Sequence, residues 1–214
     1  MKIDFHIHTK YSPDSLTQPR DLAAKAKKLG IIPTVTDHNS IEAHNEMRSL
    51  GADFIPGEEI STDKGDLVAL HINERIPKRI PFLEAIDNIH EQGGIAYLPH
   101  MYDHARSGAH VSDDEAKKVD VIEVFNARCL NPNFNHLAES FASRNKMLKA
   151  VGSDSHFLFE FGYNYNEFPD FDFNDPKALL KALKKVKFVT KKGPIYARGT
   201  TRFIYMGKKL LKII

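Results

Sequence analysis

Two histidines stand two residues apart in the run Ile3-Asp4-Phe5-His6-Ile7-His8-Thr9, which reads as a β-strand. Side chains alternate across a strand, so His6 and His8 point to one face, where two neutral imidazoles can grip one divalent metal ion. Near the other end, Gly152-Ser153-Asp154-Ser155-His156 repeats the spacing with a carboxylate and an imidazole, and the two pairs are expected to meet. Between them, at further strand ends or in the loops that follow, lie Asp14, Asp37-His38, Glu59, Asp66 or His71, His100 and Glu123. Buried carboxylates gathered in one place repel each other unless cations neutralise them, and divalent metals supply that charge. The only cysteine, Cys129, is not a plausible ligand, and the set offers more nitrogen and oxygen donors than one ion can use. Two or three ions fit better than a closed structural zinc site. Mixed His and carboxylate ligands with open positions are what hydrolytic clusters use to polarise a substrate oxygen and acidify water.

The elements that must position these residues follow from periodicity. Residues 2–7, 31–36, 53–56, 66–72, 95–98, 119–125 and 147–151 read as strands. Residues 19–29 open with a proline, carry Leu22, Ala26 and Leu29 on one face and stop at Gly30, the pattern of a helix. Asn39 followed by Glu42 resembles a capping arrangement for a helix running to Leu50 and Gly51, and residues 81–92 form another helix ending at Gly93-Gly94. This alternation predicts parallel strands with crossover helices, and candidate ligands spread over several strand ends favour a barrel over an open sheet. Residues 164–175 read as a loop near the barrel rim, and 177–187 as an amphipathic helix with its lysines in water. The basic tail, Lys208 to Lys212, is given no function.

With 214 residues and 42% hydrophobic content the chain can bury a large core, and one domain is expected over 1–214, its C-terminal helix and basic tail spanning 176–214. Thirty basic and 28 acidic residues leave little net charge to argue for a nucleic-acid or membrane partner. A lone cysteine excludes an intrachain disulfide framework, and neither a cleavable leader nor an apolar run of membrane-spanning length is seen, so a cytoplasmic protein is expected.

The motifs together resemble the polymerase and histidinol phosphatase (PHP) family. The match runs, in order, through His6-Ile7-His8-Thr9 with Ser12 and Asp14, Thr36-Asp37-His38, Gly57-Glu58-Glu59, Leu98-Pro99-His100, Ile122-Glu123-Val124 and Gly152-Ser153-Asp154-Ser155-His156, spanning about residues 3 to 160. The resemblance implies a distorted (β/α)7 TIM-like barrel with two or three divalent ions (Zn, Mn, Fe or Mg) at its mouth. It makes His6, His8, Glu59 and Asp154 ligands of a first ion, with Glu59 bridging to a second that His100 also binds. Asp14, His38 and His156 would surround a third ion, Asp14 standing where the family often has histidine. The remaining ligand of the second ion is Asp66 or His71, with Asp66 preferred. Glu123 is expected to bind metal or to orient a ligand, and Glu58 to point away as a surface carboxylate.

Arg106, in the loop after His100, resembles the family's phosphate-binding arginine, with Asn126 and Arg128 as weaker candidates for the same work. His104 and His110 flank Arg106, while His44, His90 and His136 read as ordinary surface residues. The expected activity is hydrolysis of a phosphomonoester or phosphodiester by a metal-bound hydroxide, with Asp154, His156 and Arg106 as the catalytic residues. A phosphorylated metabolite, a nucleotide or a short nucleic-acid end would serve as substrate, and no membrane partner is expected. Tyr102, Phe157, Phe159 and Phe161 could line either a closed pocket or an open groove. The rival readings are a metal-stabilised barrel that only binds, and a metal-dependent C–N hydrolase.

Overall fold

The computed structural model describes residues 1–104, 108 and 110–211. Its strands are β1 (Lys2–Ile7), β2 (Ile32–Val35), β3 (Ile55–Thr62), β4 (Gly65–Leu70), β5 (Ile95–Leu98), β6 (Val121–Asn126), β7 (Leu148–Gly152), β8 (Tyr165–Glu167) and β9 (Lys187–Val189). The helices are α1 (Pro19–Leu29), α2 (Ala43–Ser49), α3 (Phe82–Glu91), α4 (Asp113–Ala116), α5 (Pro132–Arg144), α6 (Pro176–Leu183) and α7 (Ile195–Leu210). The strands form one sheet in the order β7-β6-β5-β4-β3-β2-β1-β8-β9, curled so that β7 returns to β1. The fold is thus the expected distorted TIM-like barrel, nearly closed. Two side-chain and main-chain devices complete the seam. Ser155 exchanges backbone hydrogen bonds with His8 and His6 (2.8 and 3.3 Å), and the Asn166 amide donates to both Ile3 O and Val151 O (3.1 and 2.7 Å), standing in for a missing strand ladder.

The parallel pairs β1–β2, β2–β3, β5–β6 and β6–β7 are those the alternating pattern predicts, but β4 runs antiparallel to both neighbours. β3 continues past its expected end and folds back as a hairpin, pairing Ser61 with Asp66 and Glu59 with Val68. An antiparallel strand presents its first residues, not its last, at the mouth. Asp66 therefore lies there, while His71 sits at the far end, where burial lowers its pKa to about 4.

Strict alternation would send Ile3 and Phe5 to one face of β1 and His6 and His8 to the other. The register against β2 slips by one residue between Asp4↔Pro33 and Ile7↔Val35, a bulge that turns both sets inward. Phe5 accordingly packs beside Tyr97 (ring centroids 6.1 Å) in a cluster with Val68 and Ala150 that fills the barrel beneath the mouth. The outer layer is built by amphipathic helices. α3 buries Phe82, Ala85, Ile86 and Ile89 at helical spacing, and α1 buries Leu22 and Ala26 before Gly30 (φ 63°) ends it in the left-handed region.

Several expectations are corrected. Asn39 does not cap α2; its side chain instead pairs with Ser61 on β3, accepting from the Ser61 N–H at 3.0 Å. Residues 164–175 are not a rim loop: they contain β8, and Phe168, Phe171 and Phe173 pack into the lower core. The helix of 177–187 is shorter, giving way to β9, and Lys208 and Lys209 of the basic tail belong to α7. His44 is buried beside Gly57 (Nε2 to O, 2.9 Å), and Glu58, also buried, accepts the Ile76 N–H at 2.9 Å; neither is a surface residue. Among the described residues no helix is long and apolar enough to cross a membrane.

Candidate metal centre

Glu59 lies at the middle of the mouth, 1% exposed. Its Oε2 is 3.3 Å from His6 Nε2, 3.3 Å from His8 Nε2 and 3.1 Å from His38 Nδ1, and its Oε1 is 3.1 Å from His100 Nε2. Asp154 Oδ1 approaches from β7, 3.5 Å from His8 Nε2 and 3.9 Å from His6 Nε2. On the outer side His156 Nε2 is 3.1 Å and His38 Nε2 3.7 Å from the Asp14 carboxylate. Asp66 joins Glu59 and His100 in one potential ligand group, and His8, His38 and His156 form another.

The His6 and His8 rings are each held by the other nitrogen. His6 Nδ1 is 3.2 Å from Glu123 Oε1, which also accepts from the Tyr97 hydroxyl (2.9 Å), while Oε2 accepts from the His100 N–H (2.8 Å) and the Asn126 amide (2.9 Å). Both oxygens of Glu123 are thus occupied, and it orients His6 from behind. His8 Nδ1 is 3.1 Å from Ser12 Oγ, which donates to Asp37 Oδ1 at 2.6 Å. Asp37 is further engaged by Thr9 through main chain and hydroxyl (2.6 Å each), so it pins the loop after β1 and is turned away from the cluster. Three backbone positions around the mouth lie in the left-handed region without being glycine, Asn39 (φ 51°), His100 (φ 29°) and Asp154 (φ 53°); strain of this kind collects where a site must be held.

The donor set fits divalent ions. His6 Nε2, His8 Nε2, Glu59 Oε2 and Asp14 Oδ1 are buried and make no hydrogen bond. Burying polar atoms in that way is costly, and these face one another. Atoms each about 2.0–2.2 Å from a shared ion stand roughly 3.0–3.5 Å apart, the range of the His6, His8, Glu59 and Asp154 separations just given, except for the longer His6–Asp154 distance. The electrostatics point the same way. Burial alone would lower the pKa of His6, but the Glu59, Asp154 and Glu123 carboxylates hold it well above its ordinary value, whereas at His8 burial and the neighbouring His156 and His38 hold it well below. Burial would raise Glu59, yet His38 and His6 hold it well below the usual range; Asp66 is pushed up to about 6 by burial and by Glu59.

The mouth opens into a cleft of about 710 Å³ whose lining includes Asp14, Asp66, Asp103, Arg128, Arg202 and Tyr205. The structure thus brings together His6, His8, Asp14, His38, Glu59, Asp66, His100, Asp154 and His156, and leaves His71 apart. Arg106 lies outside the described residues. His104 and His110 stack on each other (4.3 Å), both exposed, and His90 and His136 are exposed as expected. Of the aromatics, Phe161 is core and Tyr102 packs on the core, while Phe157 and Phe159 stack (5.4 Å), with Phe159 6.2 Å from Tyr196.

Sequence reading missed three contributors. Tyr97 carries its signal in strand alternation, since it shares a face with Val68 and Glu59 in register. Arg202 and Tyr205 belong to α7, where Gly199, Gly207 and the Thr200-Thr201 pair mask a helical pattern. Gly152 has a steric role as well: a Cβ there would stand 2.3 Å from Glu123 Oε1 and 2.7 Å from His6 Cβ. Gly152→Ala is expected to displace the His6–Glu123 pair and weaken metal binding about 10–100-fold. A competition titration with a chelating dye measures this, and wild-type affinity would show that β7 yields instead.

A family model described as PHP-associated matches residues 132–188. An uncharacterized protein of Methanocaldococcus jannaschii is 37% identical over 196 residues, covering 86% of this chain and 79% of that protein. Among solved structures, a two-domain protein of Bacteroides vulgatus, described as containing a predicted PHP-like metal-dependent phosphoesterase, superimposes with a TM-score of 0.70 at 17% identity, over 88% of this chain and 64% of that one. The lesion-specific endonuclease of Pyrococcus furiosus superimposes with a TM-score of 0.63 at 18% identity, over 87% of this chain and 57% of that one.

Proposed function

Because the chain belongs to the PHP family, we propose that it is a metal-dependent phosphoesterase, one barrel over residues 1–214, that hydrolyses a phosphate ester small enough to enter the cleft above Glu59. The observation that carries this reading is the convergence of hydrogen-bond-free, buried donor atoms from His6, His8 and Glu59 at the floor of a cleft that also holds Arg128 and Arg202. Acidic ligands alone suit many cations. Arginine forks beside them suit phosphate oxygens.

In this proposal His6, His8, Glu59 and Asp154 hold a first ion, Glu59, His100 and Asp66 a second, and Asp14, His38 and His156 a third. Divalent ions there supply Lewis acidity and lower the pKa of water. Asp154 Oδ1, 3.4 Å from His156 Nδ1, orients the attacking water and accepts its proton. His156 is fixed at Nδ1 by the Asp154 carbonyl (2.9 Å), which leaves Nε2 to hold the third ion, and water at that site would return a proton to the leaving oxygen. Arg106 steadies the phosphoryl oxygens in the role the family resemblance assigns it. A cleft of about 710 Å³ is the size of those that take nucleotide-sized ligands, which favours a phosphorylated metabolite, a nucleotide or a short nucleic-acid end over the interior of a duplex.

The test is a screen of protein loaded with Mn²⁺ or Zn²⁺ against p-nitrophenyl phosphate, its bis ester, nucleoside monophosphates and an amide series, with metal content measured on the same sample. Turnover of at least one phosphate ester, abolished by chelation, is expected. Turnover confined to the amides would establish a C–N hydrolase, and bound metal without turnover a barrel that only binds.

A further inference from the structure

Helix α7 forms part of the wall of the metal cleft and is fastened near both ends. Near its start, the Arg128 Nη2 donates to Ala197 O at 2.8 Å, and the Gly193 N–H donates to Ala127 O at 2.9 Å. Near its end, the Lys208 ammonium donates to three main-chain carbonyls, Lys10 O (2.9 Å), Ser12 O (2.7 Å) and Ser15 O (2.8 Å), all on the loop that carries Asp14. Between these fastenings Thr201, Arg202 and Tyr205 line the cleft. Residues 176–214 contain no acidic residue, so nothing on α7 itself competes for Arg202.

Arg128 reaches the same cleft from the turn after β6, and it is 3% exposed. Its Nε lies 3.7 Å from Glu160 Oε1, and Glu160 Oε2 accepts the His156 N–H at 2.9 Å, so the guanidinium is braced against the backbone of a candidate ligand. With Nε and Nη2 directed at Glu160 and Ala197, Nη1 takes no hydrogen-bond partner among the described residues. A buried guanidinium with an unengaged edge, facing the same space as a second arginine, suits two oxygens of one anionic group.

We propose that Arg202 of α7 and Arg128 form an anion subsite in the wall of the cleft, taking phosphate oxygens of a substrate whose scissile bond lies over Glu59. The subsite rests on the phosphoesterase reading for its substrate, but not for its existence. Arg202 is a binding residue that sets which esters are accepted, and Lys208 positions it by tying α7 to the Asp14 loop.

The experiment compares wild type, Arg202→Ala, Arg202→Lys and Lys209→Ala, all metal-loaded, by steady-state kinetics on p-nitrophenyl phosphate and by calorimetric titration with inorganic phosphate. Lys209 is exposed on the same helix and does not line the cleft, so its removal controls for loss of one positive charge. Arg202→Ala is expected to raise both KM and the phosphate Kd at least tenfold with kcat changed less than threefold, Arg202→Lys to fall between, and Lys209→Ala to stay within twofold of wild type. The subsite is overturned if Arg202→Ala stays within twofold of wild type, if Lys209→Ala matches it, or if wild type binds no phosphate. Phosphate binding that weakens in Arg202→Ala while wild type hydrolyses no ester would sink the phosphoesterase reading and leave the subsite standing.

Discussion

Replacing Asp154 by asparagine is expected to lower metal-dependent phosphoester turnover by about 10³-fold or more, roughly 4 kcal/mol of transition-state stabilisation, with the fold intact. The choice of residue matters. Asp154 occupies the left-handed region at φ 53°, which asparagine tolerates better than other non-glycine residues, so the variant keeps the backbone and removes the charge. Asp154 Oδ2 accepts from the Asn126 amide at 3.1 Å, and the asparagine amide oxygen can keep that bond while its NH₂ group faces His6 and His8. A donor there opposes a cation where the carboxylate attracted one. His6→Ala is expected to match the loss by removing a ring nitrogen that faces both Glu59 and Asp154. Steady-state rates beside circular dichroism decide the matter: either variant retaining a tenth of wild-type activity would refute the assignment.

The second large effect is on stability. Stripping divalent ions with a chelator is expected to lower the melting temperature by about 10 °C. Saturation at roughly a thousand times Kd stabilises by about 4 kcal/mol, and each kcal/mol shifts a chain of this size by about 2–4 °C. Glu59→Ala should abolish that shift, because Glu59 contacts His6, His8, His38 and His100 and serves the first and second proposed ions at once. Thermal melts of wild type and Glu59→Ala, each with Mn²⁺ and with chelator, give the answer. Equal melts for wild type in both conditions would mean that the cluster binds no ion of structural weight.

Much of this centre is readable from the chain because parallel strands place chemistry at a predictable end. His6, Glu59, His100 and Asp154 all lie close to where alternation and strand limits put them. Legibility fails where geometry departs from repetition. The antiparallel β4 reverses which end of a strand meets the mouth, so Asp66 and His71 cannot be separated by strand polarity until the hairpin is seen. The β1 bulge is invisible to a period-two pattern, yet without it Phe5 and His6 could not both face inward. His44 and Glu58 depart from the surface positions expected of them for a common reason: a polar group can be buried when a main-chain partner awaits it, and Gly57 O and the Ile76 N–H are not visible in the residue types. α7 escaped because glycine and β-branched residues weaken its local propensity, while the contacts of Arg128 and Lys208 that fasten it come from far along the chain.

Glu123 has a kinetic consequence. One buried carboxylate gathers the ring of His6 from β1, the hydroxyl of Tyr97 from β5, the backbone amide of His100 and, on its own strand, the amide of Asn126. Each of those bonds lies within the protein and none is made to an ion, so Glu123 fixes the His6 ring and the His100 backbone without help from a cation. Capture is then governed by how fast the cation sheds its water, and exchange of one metal for another should follow the lability of the aquo ion more than any motion of the chain.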